Sequence, residues 1–393
     1  MSRRPARDAV IVGGGVVGAA CALALADAGL NVALVEGREP ARWQADRPDL
    51  RVYAFAADNA ALLDGLGVWA AVRATRAQPY RRMRVWDAGG GGELGFDADT
   101  LGRDQLGWIV EHDLLVDRLW AAVHAAGIAL HCPARVVELE QDAAGVRLRL
   151  DDGSRLEAAI AIAADGAAST LRELSGVPVA RHAYAQRGVV AFVDTEHPHQ
   201  ATAWQRFLTT GPLALLPFAD GRSSIVWTLP DADAERVLAL DDAAFSRELT
   251  LAFAARLGHM RVVSARAAFP LQRQLVQQYV SGRVLAVGDA AHVVHPLAGQ
   301  GVNLGLRDVA ALRDTVRQAL AKRAEWAAPH RLQRWARVRR SENTLAAYGF
   351  DTINRVFSND DLHLTLLRGS VLGLAGRLPP LVDVLWRRAS GAG

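Results

Sequence analysis

The sequence is poor in lysine, cysteine and long apolar runs, and each shortage closes off a class of protein. Of its 45 lysines and arginines only Lys322 is a lysine, and against 42 aspartates and glutamates the formal charge is +3. So near a balance there is no electrostatic footprint for nucleic acid, and none is expected as a partner. The arginine bias suits phosphate or headgroup contacts, and the codon usage of a GC-rich genome accounts for it as well. Two cysteines, Cys21 and Cys132, are too few for a disulfide scaffold and point to a reducing compartment. No uninterrupted apolar run approaches the ~20 residues that cross a bilayer. The polar start Met1–Asp8 has no signal-peptide core. The expected location is the cytoplasm.

What is present is a globular pattern of 393 residues, 51% of them apolar, enough for two interleaved domains. Ala9–Val12 reads as a buried strand, followed by Gly13-Gly14-Gly15-Val16-Val17-Gly18 and an Ala/Leu-rich helix to about Ala28. Val32–Val35 is a second buried strand ending in Glu36, which completes one βαβ unit. Further on, Val136–Leu139 and Val146–Leu150 read as a hairpin, and Ile160–Ala163 and Val284–Val287 as buried strands. Between about Arg181 and Ser264 the pattern turns β-rich, and from Gly301 onward it is helical.

The glycine spacing has a physical purpose. Gly13 permits the tight turn, Gly15 lets backbone approach a pyrophosphate, and Gly18 lets the helix pack close to the strand. Glu36 is placed to accept from a ribose diol. These residues predict dinucleotide binding without choosing the dinucleotide. Two later runs follow buried strands: Ala164-Asp165-Gly166 through Arg172, and Gly288-Asp289-Ala290-Ala291-His292 continuing through Pro296-Leu297-Ala298-Gly299-Gln300-Gly301-Val302-Asn303. Asp289, at a strand end, can accept from a ribityl hydroxyl. The loop from Pro296 to Asn303 would lead into a helix whose positive end favours a reduced, anionic flavin.

At these three motifs the sequence resembles the flavoprotein aromatic hydroxylases of the para-hydroxybenzoate-hydroxylase-like group. Arg51-Val52-Tyr53-Ala54, Gly211 through Pro217, Ala298 through Asp308, Arg340-Ser341-Glu342-Asn343 and Asn354 through Asn359 resemble, more narrowly, the ubiquinone-biosynthesis hydroxylases. The resemblance implies an α/β fold: a Rossmann-like FAD-binding domain (1–78, 108–180 and 276–330), a mainly β substrate domain (79–107 and 181–275) and a helical C-terminal region (331–393). It implies FAD held by Gly13, Gly15, Gly18, Glu36, Arg51, Asp165, Asp289, Pro296, Gly301, Val302 and Asn303. NAD(P)H would act as a transient reductant, since no second glycine fingerprint follows. The implied reaction hydroxylates the ring of a polyprenylphenol with O2 through a flavin C4a-hydroperoxide. Pro296, Gly299, Gln300 and Gly301 form the expected flavin-facing wall, and no acid–base residue is singled out. A soluble hydroxylase of a small phenol and a non-catalytic flavin-bearing scaffold are the alternatives. The tail Leu362–Trp386, apolar with interspersed arginines, leaves two readings level: peripheral contact with the inner face of the membrane, or packing against protein. His292-x-x-His295 has metal-ligand spacing but no third ligand, and is read as two ordinary helix-start or loop histidines.

Overall fold

The computed structural model describes residues 7–89, 92–295 and 300–357. Its first sheet has eight strands. Strands Arg7–Val12, Val32–Val35, Ala129–His131, Arg155–Ala163 and Val284–Ala286 run parallel, with Arg7–Val12 near the centre between Val32–Val35 and Arg155–Ala163. Ala9, Val10 and Ile11 have no exposed surface, as expected of a strand covered on both faces. Helix Val16–Asp27 covers one face with Ala19, Ala20, Cys21, Ala22 and Ala24 fully buried. Its small side chains let helix Gln300–Ala321 approach. A Cβ on Gly305 would lie 2.7 Å from Val17 Cγ2 and 3.0 Å from Gly288 Cα, so the two glycine motifs and the helix meet at one point.

The predicted hairpin is present as Val136–Gln141 and Val146–Leu150, antiparallel and attached to Arg155–Ala163. Its alternation is physical: Val136, Val146 and Leu148 turn inward, while Glu138–Arg149 and Glu140–Arg147 pair across the exposed face. Its turn is fixed by Asp142, whose Oδ1 accepts from the N–H of Ala144 at 2.7 Å and of Gly145 at 3.2 Å.

A nine-stranded, mostly antiparallel sheet contains the β-rich stretch. Its path runs His292–Val293, Ala267–Val276, Val179–Thr195, Ser223–Pro230, Gly211–Pro217, Thr202–Leu208, Arg82–Asp87 and Glu93–Asp97, with Met260–Val262 paired to Val179–Thr195. One face packs on helices Asp231–Ala239 and Asp242–Ala252, where Phe245, Leu249 and Phe253 are fully buried. Each such side chain contributes about 1.5–3 kcal/mol by leaving water. The other face meets a small sheet of Val52–Phe55, Gly107–Glu111 and Ala77–Tyr80. Sequence patterning did not anticipate this third sheet. It takes strands from either end of the 79–107 stretch, leaving only Arg82–Asp87 and Glu93–Asp97 for the large sheet. Helix Pro329–Phe357 closes the described chain. Among the described residues no helix is long and apolar enough to cross a membrane.

Candidate functional site

A cleft of about 1390 Å³ opens between the two large sheets. The glycine turn forms its first end, and its three glycines are required for three different reasons. Gly13 has φ +106°, and a Cβ there would fall 2.4 Å from the Ala164 carbonyl oxygen. A Cβ on Gly18 would lie 1.8 Å from the Gly13 carbonyl oxygen. Gly15 meets nothing within 4 Å and faces the open cleft. The fold itself therefore demands the outer two, and the middle one presents bare backbone at an uncapped helix start. This cradle fits a dinucleotide diphosphate. Glu36 borders it. Its carboxylate accepts from the N–H of Gly14 at 2.5 Å and of Arg38 at 3.0 Å, and Trp120 Nε1 donates to the Gly14 carbonyl at 2.7 Å.

The middle of the cleft gathers charge. Arg51, Asp165 and Asp289 all line it, with Gly301 and Val302 from the start of helix Gln300–Ala321. Asp289 is open to the cleft yet walled in by protein. That burial raises its carboxyl above the usual range, against the opposing pull of His292 and Arg51. Asp165 turns its oxygens inward to the Ser169 hydroxyl and the Leu171 N–H, so it also organises the start of the short helix Thr170–Leu174. Arg172 is almost completely buried and donates to the carbonyls of Ala290 (2.9 Å) and Ala167 (3.0 Å), tying the second and third motifs together. Of the expected flavin-facing wall, Pro296 and Gly299 lie outside the described residues, and Gln300 begins the helix.

Asn303 stands apart from the other expected cofactor residues. It is fully buried away from the cleft lining. Its amide oxygen accepts from the N–H of Ala56 (3.0 Å) and Asn59 Nδ2 (2.9 Å), and its Nδ2 donates to the Ala54 carbonyl (2.8 Å). The side chain fixes the helix start to the strand that follows Arg51. Its place in the motif is thus one of orientation.

Sequence reading passed over several groups here. Tyr53 and His112 line the cleft and pair, hydroxyl to Nδ1, at 2.9 Å. Burial raises the Tyr53 phenol, and burial followed by Arg51 lowers His112, which is therefore a neutral ring at pH 7. Tyr53 stands two residues from Arg51 within the run Arg51–Ala54, the one signal that could have flagged it. Behind the cleft, Asp308 is fully buried. One oxygen takes His292 Nε2 (2.6 Å) and the Gly288 N–H (3.1 Å), and the other takes Arg339 Nε (2.8 Å) and Asn343 Nδ2 (2.9 Å). Burial alone would raise this carboxyl, but His292 and Arg339 outweigh it and hold it at about 2.

Of the His292-x-x-His295 pair, His295 lies in a loop as expected, and His292 does not. His292 belongs to a buried strand, and His295 is buried with neither ring nitrogen partnered among the described residues. Its ring lies 5.1 Å from that of Tyr184, whose hydroxyl donates to Asp351, itself paired with Arg273. Among the described residues no group of three His, Cys, Asp or Glu side chains is placed to hold a metal.

The far end of the cleft is an apolar wall on the nine-stranded sheet, formed by Val190, Leu216, Val226, Phe269 and Leu271. No motif marks it.

A family model described as an FAD binding domain matches residues 6–345. The chain is 38% identical over 379 residues to the 3-demethoxyubiquinol 3-hydroxylase of Escherichia coli, covering 96% of each chain. It is 36% identical over 385 residues to the ubiquinone hydroxylase UbiL of Rhodospirillum rubrum, covering 98% of this chain and 89% of that one. Among solved structures, p-nitrophenol 4-monooxygenase PnpA of Pseudomonas putida superposes with a TM-score of 0.77 at 19% identity, over 97% of this chain and 96% of the other, and shares the fold. The glycine cradle, the cleft and these full-length likenesses agree: the chain belongs to the FAD-binding-domain family, on its branch of ubiquinone-biosynthesis hydroxylases, and is an FAD-dependent aromatic-ring monooxygenase.

Proposed function

We propose that this protein hydroxylates the ring of a polyprenylphenol on the way to ubiquinone, with NAD(P)H as transient reductant and O2 as co-substrate. The observation that carries the reading is the continuity of the cleft, which runs from a diphosphate cradle at Gly15 to an apolar sheet wall at Val190, Val226 and Leu271. A dinucleotide cofactor and an apolar aromatic substrate would therefore meet inside one cavity. Such sites supply orientation and exclusion of water more than acid–base chemistry.

In this reading Gly13, Gly15 and Gly18 shape the diphosphate seat, and Glu36 accepts from the ribose. Arg51 and Asp289 hold the middle of the cofactor, with Asp165 beside them. Gln300, Gly301 and Val302 bound its reactive ring. Bound FAD would supply hydride acceptance and oxygen activation. The chain's own part is to hold the phenol against that ring, keep water out with the apolar wall, and stabilise developing charge with backbone N–H groups at the start of helix Gln300–Ala321. Contact with the inner face of the membrane, or with a biosynthetic assembly, belongs to the same reading because a polyprenylated substrate partitions into lipid. A compact pocket with an arginine clamp would favour a small carboxylated phenol instead, and the described far wall carries no such clamp.

Mass spectrometry of quinone-pathway lipids from a strain lacking the protein tests the reading. One accumulating prenylphenol that lacks a single hydroxyl is expected, and its structure identifies the ring position. An unchanged quinone profile in a genome with no redundant hydroxylase would contradict it.

A further inference from the structure

Phe269 differs from the other residues of the far wall. It is 40% exposed, one of few large apolar side chains left so open, and it faces the cleft. Its ring has a dedicated seat. Gly188 lies opposite it in the strand register, and a Cβ on Gly188 would meet three atoms of the Phe269 ring, the nearest at 2.8 Å. Strand alternation puts Ala267, Phe269 and Leu271 on one face, flanked by Val190 and, through it, Val226. Together they form an apolar ledge.

The ledge has a direction. Gln274 and Leu275 of the same strand pair with Val293 and His292, in the segment that leads to Gly301 and Val302. Phe269 stands five residues from Gln274, about 17 Å along an extended strand. Phe269 thus sits on the part of the strand away from its pairing with Val293 and His292, a position that suits what the ring carries. Resting on the proposed polyprenylphenol chemistry, we infer that Phe269, seated on Gly188, is the surface that receives the substrate's apolar tail. It thereby sets how strongly binding depends on tail length. The glycine seat keeps the ring flat against the sheet, leaving room for a tail above it. A buried apolar contact of this kind discriminates by roughly tenfold or more.

The test compares FAD-loaded wild type with Phe269→Ala, Phe269→Leu, Gly188→Ala and the Gly188→Ala/Phe269→Ala double variant. KM and kcat are measured with two prenylphenols, one bearing a single isoprenoid unit and one a long chain, and bound FAD and Tm are recorded throughout. Phe269→Ala should raise KM for the long-chain phenol about tenfold with kcat kept, while the short-chain KM moves by less than about twofold. Phe269→Leu should fall between. Gly188→Ala should push the ring into the cleft and raise the long-chain KM, yet add nothing in the Phe269→Ala background, because the three atoms nearest the new methyl, all of the ring, are then gone. Equal effects on both substrates, no effect on either, or a Gly188→Ala effect that persists without the ring would overturn the inference and leave the polyprenylphenol reading standing. A wild type that turns over neither prenylphenol but hydroxylates a small phenol would overturn both.

Discussion

At its cradle end the cleft is made of backbone, and at its far end of side chains. Gly13 and Gly18 admit no Cβ because other backbone atoms already occupy that space at 2.4 and 1.8 Å. Nothing there can give way, so the cradle has one shape. The far wall of Val190, Val226, Phe269 and Leu271 is a sheet surface whose side chains can be exchanged without moving a strand. In the proposed function the cofactor meets the rigid end and the substrate the adjustable one. Behind the cleft, Arg172 and Asp308 clamp the second and third motifs and helix Pro329–Phe357 together.

Substitutions can break this contrast in graded ways. The largest loss is expected at the clamp. Asp308→Ala leaves Arg339 and Asn343 without their buried carboxylate partner and frees the Gly288 N–H, which should cost about 3–5 kcal/mol in urea unfolding and release FAD. Next comes Gly18→Ala, where a collision with backbone at 1.8 Å should cost about 3 kcal/mol and also abolish flavin retention. His295 supplies a pH-dependent effect. Burial holds its ring at about 4, below the ordinary 6.5, so between these values the unfolded chain binds more protons than the folded one. Its contribution is complete above pH 6.5 and is lost as pH falls towards 4, by about 2–3 kcal/mol. Unfolding measured at pH 7 and 4.5 should show this slope together with a like contribution from His112, and His295→Leu should make it shallower. Asp308 acts in a lower window, its contribution fading as pH falls from 3.8 towards 2. The smallest change in folding is expected at Gly15→Ala, where a Cβ meets nothing and stability should move by less than about 0.5 kcal/mol. The same methyl would stand in the diphosphate seat, so flavin affinity should fall sharply. If Gly15→Ala holds FAD normally, the cradle is assigned to the wrong backbone.

The cradle end was legible in the sequence for the reason that makes it rigid. Backbone that must approach backbone requires glycine, and glycine at Gly13, Gly15 and Gly18 is visible as a pattern. Asp165 and Asp289 were legible as acids at the ends of buried strands, and the hairpin at 136–150 by its alternation. Asn303 was legible as a motif residue, but the sequence could not say that its amide serves Ala54, Ala56 and Asn59 rather than the cleft. Those partners lie about 250 positions away, and no local period encodes them. The three-stranded sheet was missed for a related reason. Ala77–Tyr80 contains Pro79, and its partner Gly107–Glu111 is buried throughout, so neither shows the alternation that marks a half-buried strand. Phe269 looked like any apolar residue, because its exposure and its seat on Gly188 exist only in the register.

The central claim is that one cleft brings a flavin cradle and an apolar phenol wall together for oxygen transfer. It is tested most directly by turning over a prenylphenol with the FAD-loaded protein and NAD(P)H under 18O2 and weighing the product. One 18O atom is expected in each hydroxylated ring. NAD(P)H consumption that yields only hydrogen peroxide with every phenol offered, and no labelled product, would contradict it.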